Sequence, residues 1–376
     1  MKRYLFLVLL VVAVGIAGVF LWLGSGGGEV VELTQDEAEA ARASGAAAQE
    51  LVVESEDGLP TQEELKFIAS RERMNELSVQ IREQRAAAEP ADKALLTVLL
   101  SEVERLRGDL DIAYELALEG AEALPENSRA RHMVAKAILA RIVAEADDRN
   151  YAALLGMMGD IKAYKAEVNA AVELDPTNVD ARVGQVLVLL LPGMLGNKER
   201  AKELVEEIGE YDPLRRDFWR GQILLMDEDR LGEAVAEFER IATEHPTDPD
   251  VLLTLGELYI KQDAWAKAID ALDRQLELVS DKPLTPHAYR ALYQGAKARM
   301  KLGTESEEAL AMLERFEAAD PVGEPMPTMD RVKYHKGRAL IALGRLEEAK
   351  ATLEEALALK PKSERVKKAL AEASAG

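Results

Sequence analysis

The sequence predicts an all-α chain in which stacked helical hairpins form a solenoid behind one N-terminal transmembrane helix. Three observations lead there. The composition is 48% hydrophobic but only 5% aromatic, with much Ala, Leu and Glu, which suits closely packed helices and offers little to a sheet. An uncharged apolar run opens the chain. A pattern of small and large residues then recurs at a spacing of about 34 residues through most of the remainder. At 376 residues the chain exceeds the size at which one compact core keeps growing, and a repeat array buries a large core at any length.

The apolar run extends from Tyr4 to Leu23, twenty residues, which at about 1.5 Å per residue matches the hydrocarbon core of a bilayer. It closes on Val19-Phe20-Leu21-Trp22-Leu23, bulky residues with an interfacial Trp rather than the small residues of a cleavage site, so a retained anchor is expected. The alternative is a cleaved signal peptide and a soluble periplasmic protein. Lys2 and Arg3 precede the span, whereas Gly24 to Ala41 carries Glu29, Glu32, Asp36, Glu37 and Glu39 without Lys or Arg. The positive-inside rule then keeps residues 1–3 cytoplasmic and places the rest outside the inner or cytoplasmic membrane, in a periplasm for a diderm bacterium.

Residues 24–60 read as a flexible linker opened by Ser25-Gly26-Gly27-Gly28. A leading helix is expected over 61–90. Thr61 and Glu64 form a capping box, Leu65, Ile68, Met74, Leu77 and Ile81 an apolar stripe, and Glu89-Pro90 a stop. The net charge of −21 argues against a nucleic-acid partner. The absence of cysteine removes disulfides, thiolate chemistry and cysteine metal ligands.

From residue 91 to 363 the signal is repetition. Leu343-Gly344-Arg345-Leu346-Glu347-Glu348-Ala349, with Leu353, Ala356 and Pro361, has the small-residue spacing of a hairpin's second half, and Gly337 stands twelve residues before Ala349. Gly256, Tyr259, Ala268 and Leu272 repeat the frame, with Gln275 where a small residue is usual; Ala234, Phe238 and Pro246 repeat it one period earlier. Gly295, Leu313, Phe316 and Pro321 mark a unit from Ala288, and Gly108, Ala113 and Pro125 one from Ala94. This pattern resembles the tetratricopeptide repeat family, and the resemblance implies a right-handed α-α superhelix of about seven hairpins. Between Pro125 and Pro176 the helices are elongated or a turn is inserted near 146–159. Leu191 to Asn197 reads as an extended loop, functional or simply tolerated. Residues 364–376 read as a polar-faced cap and tail. Val183 to Leu191 is apolar all round, so it is either covered by preceding hairpins or a sticky surface for a partner or second copy.

In that family, first-helix residues at repeat positions 2, 5, 6, 9, 12 and 13 line a concave groove. Carried over, the rule presents Arg216, Trp219, Arg220 and Ile223; Leu253, Glu257 and Lys261; Tyr289, Leu292, Tyr293 and Arg299; and Arg331, Tyr334, His335 and Arg338. Aromatic faces among arginine forks suit an acidic peptide or a free C-terminus. The Lys and Asn pattern with which some members clamp a peptide C-terminus is not present.

No motif assembles chemistry. His132, His245, His287 and His335 lie far apart, no glycine-rich phosphate loop occurs, and the Glu-rich faces serve solvation. The expectation is a non-enzymatic protein-binding module without cofactor or metal: a membrane-anchored adaptor or chaperone that holds a peptide in its groove during assembly of an envelope or secreted complex. The alternative is a structural scaffold or oligomeric component of a membrane complex, binding through convex or apolar surfaces.

Overall fold

The computed structural model describes residues 59–60, 65, 68–146, 157–191, 196–279, 284–303, 305–323 and 326–375. The expected anchor at 4–23, the linker to residue 58 and the capping residues Thr61 and Glu64 lie outside them. Among the described residues no helix is long and apolar enough to cross a membrane. The chain divides into two compact units, one built on Glu72–Glu228 and the other on Asp229–Gly376 with Phe67–Arg71. Both are all-α and made of stacked helix pairs.

The first unit contains α1 (Arg71–Ala87), then the pairs α2 (Pro90–Arg107) with α3 (Leu110–Ala123), α4 (Ser128–Ala146) with α5 (Met158–Leu174), and α6 (Val179–Leu189) with α7 (Lys198–Ile208), and finally α8 (Pro213–Leu224). The second contains α9 (Leu231–Glu244), the pairs α10 (Pro249–Lys261) with α11 (Trp265–Glu277), α12 (Pro286–Leu302) with α13 (Ser306–Ala319), and α14 (Met329–Ala342) with α15 (Leu346–Leu359), and α16 (Glu364–Ala375).

The starts of these helices follow from their sequence. Pro opens α2, α8, α10 and α12, where its missing N–H leaves no hydrogen bond unmade. The side chains of Asn178, Asn197, Asp212, Asp248 and Thr285 each accept from a first-turn N–H of the helix that follows. Left-handed residues Asp263, Gly303 and Gly344 turn the chain between the two helices of each pair in the second unit.

Packing explains the repeated small residues. A β-carbon at Gly256 would lie 2.6 Å from Leu272 Cγ, and one at Gly337 only 2.5 Å from Leu353 Cγ, so α10 meets α11, and α14 meets α15, at a distance only glycine permits. Ala268, Leu272, Ala309, Leu313, Ala349 and Leu353 are all fully buried at the same places in successive second helices. First helices also touch each other in succession, α2 with α4, α4 with α6, and α10 with α12, α12 with α14, α14 with α16. An acidic residue at the second position of a first helix repeatedly meets a basic residue near the start of the next: Asp180 with Arg215 (2.8 Å), Asp250 with His287 (2.5 Å), Asp330 with Arg365 (3.6 Å).

One local reading changes and others gain detail. The leading helix is interrupted: Ile68, Ala69 and Ser70 are not helical, and α1 begins at Arg71. There the Val322 N–H donates to the Ala69 carbonyl at 2.8 Å and Arg71 pairs with Asp320 at 2.8 Å, tertiary bonds that replace continued helix. The long repeat after Pro125 has elongated helices, 19 residues in α4 and 17 in α5, while 147–156 lie outside the described residues. Within the apolar run, Val183, Val186, Leu187 and Val188 are buried inside the first unit. Gly184 lets them pack there, since a β-carbon would fall 2.7 Å from Val168 Cγ1 of α5. Of the loop from Leu191 to Asn197, residues 192–195 lie outside the description; the Asn197 N–H donates to the Leu189 carbonyl at 2.7 Å.

Candidate functional site

Each unit's first helices form a wall, and the groove residues expected from the sequence divide between them. On α8 of the first unit, Trp219 and Ile223 are buried and pack inside rather than lining an open surface. Arg216 pairs with its neighbour Asp217 at 2.6 Å, and Arg220 forks onto Glu206, with Nε at 2.7 Å, and reaches Asp217. These guanidinium groups are already neutralised within the unit.

In the second unit Leu253 and Leu292 are likewise interior. Arg299 is 5% exposed and holds two carboxylates, Asp273 at 2.7 Å and Glu305 at 2.8 Å, so it ties α12 to α11 and α13 instead of facing a ligand. Tyr289 stands edge-on to Phe316 at 6.0 Å, a packing contact. Arg338 is paired with Glu372 of α16.

The rest converge. Tyr293, His335 and Tyr334 form an edge-to-face file, with centroids 5.4 Å apart for the first two and 5.0 Å for the second two. Arg365 lies over the Tyr334 ring at 5.0 Å. Beside this file run polar residues, of which Arg290, Gln294, Lys297 and Lys301 were not among those expected from the sequence. Arg290 clasps Glu257 in a bidentate pair, both contacts 2.6 Å; Gln294 donates to Glu257 at 3.1 Å and accepts from Lys297 at 3.1 Å. Lys301 and Arg331 are exposed on α12 and α14, and Lys261 on α10.

The charge balance on this wall is one-sided. Lys261, Lys297, Lys301 and Arg331 have no ion-pair partner among the described residues. Burial, reinforced by Lys297, Arg365, Lys301 and Arg331, pushes the His335 imidazole down to about 3, so it is neutral at pH 7. Burial also lowers the Lys297 ammonium, with Arg290, Arg331 and Lys301 adding repulsion against the pull of Glu257. Desolvation raises the Tyr293 phenol.

The missed residues trace to a register error of one position. Counting from the repeat marker Gly295 selects Leu292 and Arg299, which point inward. Counting back seven residues from each left-handed turn, Asp263, Gly303 and Gly344, selects Gly256, Ala296 and Gly337 as the equivalent small positions. In that register α12 presents Arg290, Tyr293, Gln294, Lys297 and Lys301. Ala296 is fully buried, whereas a β-carbon at Gly295 would meet nothing closer than Met312 Cε at 3.2 Å.

Known proteins agree with the repeat architecture. The family model described as tetratricopeptide repeat matches two stretches of the chain, 225–300 and 304–373. Those stretches are similar to tetratricopeptide repeats. The crystal structure of yeast Tom70 is similar with a TM-score of 0.60 at 17% identity, covering 88% of this chain and 67% of that one. The structure titled as the APC/C hetero-tetramer Cut9-Hcn1 is similar with a TM-score of 0.51 at 14% identity, covering 83% of this chain and 54% of that one. At these identities the likeness is one of fold. No curated protein matches the sequence. Among the described residues no group of three or more His, Cys, Asp or Glu is placed to hold a metal ion.

Proposed function

We propose that this protein is a non-enzymatic scaffold, a tetratricopeptide stack that holds other proteins together at a membrane surface, with residues 4–23 as its anchor and the repeats on the extracytoplasmic side. The observation that carries this reading is the fate of the expected groove: Trp219, Ile223, Leu253, Leu292 and Arg299 are spent on packing the stack itself. An all-round peptide groove is thereby reduced to the one wall of the second unit. The outer surface, by contrast, keeps large apolar side chains exposed along second helices and their ends, at Ile112, Leu118, Leu174, Leu278 and Leu359. The Cut9-Hcn1 structure, titled a hetero-tetramer, is a precedent for such a stack within an assembly.

The test is the size of the native particle. Full-length protein, briefly cross-linked in its own membranes and then solubilised, is expected to migrate as an assembly larger than the 41.3 kDa chain. Changing Ile112 and Leu118 to Lys together is expected to reduce that assembly while helix content stays constant. A single chain, with or without the substitutions, contradicts the scaffold.

A further inference from the structure

On the reading that the repeats stand at a membrane surface, we infer that the turn joining α15 to α16 rests on anionic phospholipid, with Lys360, Lys362 and Lys368 meeting headgroup phosphates and Leu359 entering the interface. The observation is a reversal of charge at the end of the second unit. Residues 360–368 hold five basic residues and one acidic, in a chain whose net charge is −21. Arg365 is engaged with Asp330 at 3.6 Å and with the Tyr334 ring, and Lys367 with Glu364 at 2.8 Å. Lys360, Lys362 and Lys368 are exposed and have no ion-pair partner among the described residues.

The fold does not ask for these lysines. At the same turn in earlier repeats Asp175 precedes the proline and Glu126 follows it, the places that Lys360 and Lys362 hold around Pro361. The stack therefore accepts acidic residues there. Lys360 suits the negative end of the α15 dipole, but Lys362, Arg365 and Lys367 stand at the start of α16, where the dipole favours acids. An anion outside the repeats accounts for a cluster that helix electrostatics does not. Val366, Ala369 and Ala373 are buried in the core of the last repeat and fix α16, so the lysines are presented from an ordered backbone. The Debye length at physiological salt is about 8 Å, so the acidic faces of the earlier repeats do not cancel the patch.

Leu359 decides the kind of anion. Its side chain is 56% exposed beside the lysine-bearing turn. A nucleic-acid backbone would leave that leucine in water. A bilayer interface takes up its apolar surface while phosphates take the amines, and each lysine near an anionic surface strengthens the contact about fivefold.

The rival occupant is the chain's own acidic stretch, since residues 29–57 contain nine acidic residues and one Arg. The experiment separates the two. The chain has no cysteine, so A371C on α16 gives full-length protein a single thiol for a fluorescent dye. The labelled protein is reconstituted into vesicles of phosphatidylcholine alone, or of equal parts phosphatidylcholine and phosphatidylglycerol, each with a trace of headgroup-spin-labelled lipid as quencher. Loss of emission is expected in the anionic vesicles only, reversed by high salt and by K360Q/K362Q/K368Q. That variant should keep parental helix content, since none of the three lysines has an ion-pair partner to lose. A dye at E126C, on the acidic counterpart of the turn, should stay bright in both vesicles. Quenching that is equal in neutral and anionic vesicles, or that survives the triple substitution, overturns the site. Quenching that emerges only in an E54Q/E56Q/D57N chain overturns the lipid assignment and gives the patch to the chain's own stretch. A bright dye alongside an intact cross-linked assembly removes this contact alone, whereas a quenched dye on a chain that forms no assembly removes the scaffold alone.

Discussion

Helices α2 and α4 of the first unit carry Glu102, Arg105, His132 and Lys136, and helices α12 and α14 of the second carry Lys297, Lys301, Arg331 and His335. The backbone setting is the same, a first helix against the next first helix. In the first unit the charges are closed on themselves: Arg105 pairs with Glu102 at 2.7 Å and Lys136 reaches the same carboxylate, all largely buried. Glu104 is equally enclosed, accepting from Ser78 at 2.6 Å and Arg82 at 2.8 Å. In the second unit the cations have no such partners. The same backbone setting thus carries first-helix charges that are closed on one another in one unit and that have no ion-pair partner among the described residues in the other.

The largest effect that could break this contrast is at Glu102. Burial works to raise its carboxyl, but Arg105 and Lys136 outweigh it and hold the group below the usual carboxylate range. Glu102→Ala leaves two cations unmatched in the interior, and urea unfolding should show a loss of about 3–5 kcal/mol. A smaller loss, about 2 kcal/mol, is expected for Arg299→Ala, because its partners Asp273 and Glu305 can turn to water while the buried stem loses its packing.

A pH titration sharpens the contrast further. Burial pushes His132 down to about 4, against about 6.5 in the unfolded chain. The folded state therefore keeps the ring neutral while the unfolded state binds a proton. The associated stability is complete above pH 6.5 and is lost as the pH falls toward 4. Between pH 7 and 5 about 2 kcal/mol should disappear, and His132→Gln should flatten that dependence in a series of thermal melts.

The smallest expected change is a gain. Gln275 is fully buried where Phe316 and Ala356 stand in later repeats, and neither its Oε1 nor its Nε2 has a hydrogen-bond partner. Gln275→Leu should raise stability by about 1 kcal/mol, read as a shift in urea midpoint.

The same residue shows what was legible in the sequence. Gln275 stood out because small or apolar residues recur around it, and that recurrence has a steric cause in the close crossings at Gly256 and Gly337. Helix pairs could be read because such crossings tolerate few residue types. The wall was harder to read. Its register in α12 depends on one extra residue after the Gly303 turn, and Gly295 imitates the marker that Ala296 actually provides. The ion ties of the first unit left no trace at all, because Glu102 and Arg105 look in sequence like any solvated pair three residues apart. Only burial separates the two cases.

The contrast itself is tested most directly by urea unfolding of the parent, of Glu102→Ala and of K297Q/K301Q/R331Q. The midpoint should fall in Glu102→Ala and stay at the parent's value in the triple variant. A triple variant that unfolds as early as Glu102→Ala would show that these cations are structural ties like those of the first unit.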